Sequence, residues 1–128
     1  LNLKEYLDKL LKMIIKVYQK ENYVRFELNC EIIEVDLEKV ICIGVIINEL
    51  VTNSIKYGQT DKSEVNISID IRNSGSEVML KYRDNGNQDN NKIKEGLGFS
   101  IIRSFIGKGG RMEYEHNENG FNAKILLN

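Results

Sequence analysis

The stretch Asn48-Glu49-Leu50-Val51-Thr52-Asn53-Ser54-Ile55-Lys56-Tyr57 gathers two amides, a carboxylate and an ammonium group. At about 100° per residue on a helix, Asn48, Glu49, Thr52, Asn53 and Lys56 fall within one arc of roughly 140°. Ile43, Ile47, Leu50, Val51 and Ile55 take the opposite side, which must face a core, and the earlier turns are apolar nearly all round. A merely solvated arc would be written in Lys and Glu, as elsewhere in this chain. Asn is a poor helix former, so its use here asks for another reason. Its neutral amide oxygen suits Mg²⁺, a hard cation that prefers oxygen ligands. Lys56, about two turns beyond Asn48, offers a point charge for phosphate.

Two shorter motifs follow. Asp84-Asn85-Gly86 closes an apolar alternation. A carboxylate at a strand end can accept a hydrogen bond from an adenine amino group, and a glycine lets a base approach the backbone. Alone, the tripeptide is an ordinary turn. Gly96-Leu97-Gly98 opens a helical pattern and leaves backbone N–H groups free to meet phosphate at the positive end of the helix dipole. Alone, it serves equally as a hinge.

The elements that must position these motifs are read from periodicity. Leu3, Leu7, Leu10, Leu11, Ile14, Ile15 and Tyr18 predict an amphipathic helix to about Lys20, capped by Asn2. Tyr23 to Leu28 alternates as a strand. A second helix runs from Leu37 to Tyr57, with Asp36 as its cap and Gly58 as its stop. Val65 to Ile71 and Val78 to Tyr82 form a hairpin turning at Asn73-Ser74-Gly75. Residues 85–95 are polar and aperiodic, a mobile loop. Gly96 to about Lys108 is a third helix ended by Gly109-Gly110. Arg111 to Glu115 and Phe121 to Leu127 make a last hairpin turning at Asn119-Gly120. Hairpins interrupted by helices predict a two-layer α/β sandwich of the α+β type, a mixed five-stranded sheet with three helices on one face.

Composition bounds the rest. The 128 residues contain no proline and carry a formal net charge of -1, with both signs interspersed. That balance gives no broad attraction for nucleic acid or anionic lipid, and residues 1–128 read as one domain that makes no membrane contact itself. The longest apolar run, Val40 to Ile47, is too short to span a bilayer. Cys30 and Cys42 have neither disulfide nor metal-ligand spacing and read as small buried thiols of a reducing cytoplasm. The chain opens on Leu1 directly into a helical pattern, which reads as a segment of a longer protein.

Taken in order, N-E-L-V-T-N-S-I-K-Y, R-D-N-G and E-G-L-G-F-S-I-I resemble the asparagine box and the two glycine boxes of the GHKL superfamily. That ATP-binding fold is shared by histidine kinases, DNA gyrase and the mismatch-repair ATPases. The resemblance runs through nearly the whole chain, including the Gly120-Phe121 hairpin, and looks nearest to sensor histidine kinases with a short ATP lid. It implies ATP and Mg²⁺ as ligands. Asn53 would bind Mg²⁺ with Asn48 assisting, Lys56 would contact phosphate, and Tyr57 would lie against adenine or ribose. Asp84 would read the adenine amino group beside Gly86, while Gly96, Leu97 and Gly98 would anchor the lid and approach the phosphates. Glu49, four residues before Asn53, stands where hydrolysing relatives place a water-activating carboxylate, so it would orient a nucleophile or assist the metal. The family's first glycine box usually reads D-x-G-x-G. Gln88 replaces its second glycine here, which implies a stiffer or displaced lid and weaker nucleotide binding.

The implied partners are a phosphoacceptor-histidine dimerisation domain of the same parent and a downstream response regulator. His116 reads as a surface strand residue, since acceptor histidines of the family lie on a helix. Three alternatives remain: a serine kinase of the anti-sigma type with the same fold, a noncatalytic interaction module, and a hydrolytic ATPase using Glu49. A serine kinase would stand free of sensor segments. A module would gain no thermal stability from ATP, and an ATPase would release phosphate steadily.

Overall fold

Leu3, Leu7, Leu11, Ile14 and Ile15 are buried along one side of helix α1 (Leu3–Val17), as their spacing requires. The computed structural model describes residues 2–31, 35–57, 64–86 and 97–128. The Asn2 side chain accepts a hydrogen bond from the Glu5 amide at 3.0 Å and so caps α1. This helix ends before Lys20 because Gln19 takes a left-handed backbone, φ 57°.

Strand β1 (Val24–Cys30) follows, then helix α2 (Leu37–Tyr57), whose first turn is capped by Asp36 accepting from the Lys39 amide at 2.8 Å. Val40, Ile43, Ile46, Ile47, Leu50 and Val51 are buried on α2. By length and composition α2 could cross a membrane, yet its apolar side is used by the core. Its start is more open than the apolar run predicts. Leu37 is 62% exposed and Ile41 49%. These two and Gly44 succeed one another along one side of the helix, and α1 reaches that side at Gly44. The Tyr6 hydroxyl lies so near Gly44 that a β-carbon there would stand 2.7 Å from it. Ile55, expected in the core, is only half-buried.

Strands β2 (Val65–Ser74) and β3 (Glu77–Asp84) form a hairpin that turns at Gly75, φ 65°. Helix α3 (Leu97–Ile106) stops before the expected Lys108, because Gly107 already adopts φ 90°. Strands β4 (Arg111–Asn117) and β5 (Gly120–Leu127) complete the chain. The sheet order is β1-β2-β3-β5-β4, with β1 and β2 parallel and every other pair antiparallel. A parallel neighbour needs a long crossover, which α2 supplies.

One face of the sheet is buried under the three helices through Ile67, Ile69 and Ile71 of β2, Leu80 and Tyr82 of β3, and Ala123 and Ile125 of β5. The other face is exposed and polar, with Ser68, Lys81, Arg83, Asn122 and Lys124. This two-layer arrangement of five strands and three helices is the fold class the sequence predicts. Cys30 and Cys42 are half-buried rather than buried, since both lie at the margin of the core.

Candidate functional site

Period-two alternation places Val78, Leu80, Tyr82 and Asp84 on the same inward face of β3, so the strand delivers a carboxylate under the helices. Asp84 is 3% exposed. Burial of a charge is tolerated only with strong hydrogen bonding, and Asp84 has it. Its Oδ1 accepts from the Gly86 amide at 2.9 Å and from the Phe121 amide at 3.2 Å. Its Oδ2 accepts from Ser54 Oγ on α2 at 2.6 Å. Three elements thus meet at one carboxylate.

The turn after β3 is held from both sides. Asn85 Oδ1 accepts from the Asn66 amide at 2.7 Å, and Asn85 Nδ2 donates to the Glu64 carbonyl at 3.3 Å, which ties the turn to the start of β2. Gly86 is buried, and His116 Nε2 lies 3.4 Å from its carbonyl oxygen. His116 is therefore half-buried and not the surface residue its strand position predicts, because the final hairpin folds over this turn. Phe121 packs between Tyr82 and Phe99, with ring centroids 6.3 and 6.2 Å away, which makes an apolar wall beside Asp84.

Ser54 and Tyr82 belong to the site, although the three sequence motifs assign a role to neither. Ser54 is 2% exposed and Tyr82 1%. The Tyr82 hydroxyl lies 2.5 Å from Ser54 Oγ and 3.2 Å from the Leu50 carbonyl. Burial first, and the Asp84 charge second, push the Tyr82 phenol well above its ordinary range, while the Ser54 hydrogen bond acts in the opposite sense. A signal for both does exist in the sequence: Ser54 falls four residues after Leu50 on the apolar side of α2, and Tyr82 keeps the inward phase of β3.

On the other side of the same helical stretch, Asn48, Glu49 and Asn53 are half-buried, whereas Lys56 and Tyr57 are exposed. The predicted polar arc is present at the surface, one residue away from the Ser54–Asp84 contact. Leu97 and Gly98 open α3. Gly96, together with Gly58 and Gln88, lies outside the described residues, as does residue range 87–95 of the expected loop. Among the described residues, no group of three His, Cys, Asp or Glu side chains could hold a metal by itself. The amide oxygens of Asn48 and Asn53 suit Mg²⁺ only as part of a set completed by other oxygens, such as phosphates and water.

No family model matches the chain. Over 126 residues it is 25% identical to blue-light-activated histidine kinase 1 of Erythrobacter litoralis (strain HTCC2594), a match covering 94% of this chain and 35% of that protein. The chain thus spans about a third of the length of that curated relative. Among solved structures, the histidine kinase domain of the Erythrobacter litoralis EL346 blue-light-activated kinase superposes with a TM-score of 0.83 at 18% identity, covering 99% of this chain and 61% of that one. The Acinetobacter baumannii histidine kinase AdeS superposes with a TM-score of 0.74 at 18% identity, covering 99% of this chain and 64% of that one. The chain has the fold of histidine kinase catalytic domains.

Proposed function

We propose that this chain is the ATP-binding catalytic domain of a two-component sensor histidine kinase, which passes the γ-phosphoryl group of ATP to a histidine on a separate dimerisation domain. A response regulator would receive the group next. The observation that carries the reading is the Ser54–Asp84 hydrogen bond, because it ties the helical segment that bears Asn53 and Lys56 to the inward carboxylate of β3. On this reading Asp84 would recognise the adenine amino group and Lys56 would contact phosphate. A likeness in sequence to a histidine kinase and in fold to several supports the same reading.

Phosphoryl transfer passes through a loose transition state and depends mainly on positioning and charge neutralisation. Asn53, with Asn48, would hold Mg²⁺, which when bound neutralises charge on the phosphates. Lys56 would add a mobile positive charge, and Tyr57 would cover the base or ribose. Gly96, Leu97 and Gly98 would approach the phosphates. Glu49 would orient the incoming nucleophile or support the metal. The acceptor imidazole would come from another domain, and His116, half-buried with its Nε2 3.4 Å from the Gly86 carbonyl oxygen, is not assigned that role.

Calorimetric titration with ATP and Mg²⁺ tests the proposal. Removing a charged hydrogen-bond partner costs about 1.5–3 kcal/mol, so Asp84→Asn should bind ATP at least about tenfold more weakly. Equal affinity in the two proteins would remove the base-reading role.

A further inference from the structure

Two hydroxyl protons must serve three contacts around Ser54, and counting them fixes the direction of the chain. Neither the Asp84 carboxylate nor the Leu50 carbonyl can donate. The Ser54 proton is therefore spent on Asp84 Oδ2, and the short Ser54–Tyr82 contact must be made with the Tyr82 proton. The Leu50 carbonyl, at the longer 3.2 Å, is a second acceptor for that same proton. Both protons point toward the carboxylate.

From this order we propose that Ser54, held in place by Tyr82, is a positioning residue that makes Asp84 selective for the 6-amino group of adenine. The inference rests on the ATP-binding reading above and extends it to two side chains with no assigned role. A carboxylate offers about four acceptor sites. Two N–H donors occupy Oδ1 and one O–H donor occupies Oδ2, which leaves Oδ2 one acceptor position for a ligand. That position welcomes an amino hydrogen and repels a purine 6-oxo group, because two acceptors would then face each other. Without the Ser54 proton, Oδ2 loses the partner that sets its angle. The phenol remains a donor throughout the physiological range, because burial keeps it protonated.

The test compares ATP with inosine triphosphate, which carries oxygen at the 6 position, by calorimetry with Mg²⁺. Ser54→Ala should weaken ATP about tenfold and leave inosine triphosphate nearly unchanged, so the preference between them shrinks about tenfold. Ser54→Thr keeps the hydroxyl and should keep the preference. Tyr82→Phe should reduce it about threefold, since Ser54 keeps its proton but loses its anchor. General loosening of the fold would weaken both nucleotides alike, and an unchanged ratio in Ser54→Ala overturns the proposal. Should that variant fail to fold, the ratio in Tyr82→Phe decides in the same way. If wild-type protein binds no ATP, the kinase reading falls and this inference with it; if it binds ATP with an unaltered ratio in the variants, only this inference falls.

Discussion

Gly120 sits against the backbone of Asp84: a β-carbon at this position would overlap the Asp84 carbonyl oxygen and stand 2.9 Å from its carbon. Its φ of 129° is also a conformation that side chains rarely adopt. Gly120→Ala should therefore destabilise the protein by about 2 kcal/mol or more, through strain and displaced backbone together. Gly75, with φ 65° and open space for 4 Å around the place a β-carbon would take, supplies the control. Gly75→Ala should cost only about 1 kcal/mol. Denaturant melts of the pair separate close approach from conformation alone.

Alkaline stability should report Tyr82. Its phenol titrates well above 10.0 in the folded protein and near that value when unfolded. Above pH 10 the unfolded state therefore binds fewer protons than the native state, and stability falls as pH rises. The stabilisation is fully present below the unfolded value and fades until the folded value is passed. The slope from this group is about 1.4 kcal/mol per pH unit. Tyr82→Phe should flatten that part of the curve in denaturant titrations between pH 9 and 11. A curve as steep as wild type would mean that other groups set it.

The uneven burial of α2 predicts unequal costs for one substitution at two sites. Ile47→Ala removes a fully buried side chain and should cost about 2–5 kcal/mol. Ile41→Ala trims a side chain that is 49% exposed and should cost about 0.5 kcal/mol or less. Comparable losses in urea melts would show that the start of α2 is covered in solution.

Magnesium should act only with nucleotide. With no self-sufficient acidic cluster among the described residues, Mg²⁺ alone should leave the melting temperature unchanged. ATP with Mg²⁺ should raise it by mass action, and Asn53→Ala should remove most of the magnesium-dependent part. Stabilisation by the metal alone would point to a different ligand set.

Much of this is legible in residue spacing. The full extent of α2, both of its neighbouring strands and the inward phase of Tyr82 follow from where apolar residues recur, because one buried face dictates the period. Element ends are less legible. Gln19 and Gly107 end their helices early through backbone conformations that periodicity does not encode. The insertion of β5 between β3 and β4 depends on long-range pairing and leaves no local mark. Within the candidate site, the polar arc of α2 is visible because Asn is unexpected on a helix. The Tyr82–Ser54–Asp84 chain is not, since a lone hydroxyl among apolar residues gains meaning only when a second element faces it. The openness of Leu37 and Ile41 is hidden for a related reason: hydropathy reports what could be buried, not what reaches it.

The place of β3 at the middle of the sheet has a dynamic consequence. A strand bonded along both edges gives up its amide hydrogens to solvent only in the rarest openings, those that approach global unfolding. Any ligand that meets Asp84 docks at the end of this strand, on a carboxylate that Ser54, Gly86 and Phe121 already hold before it arrives. Its affinity at that end then owes little to ordering of the protein, and a substitution there removes a contact without changing how much order binding must impose.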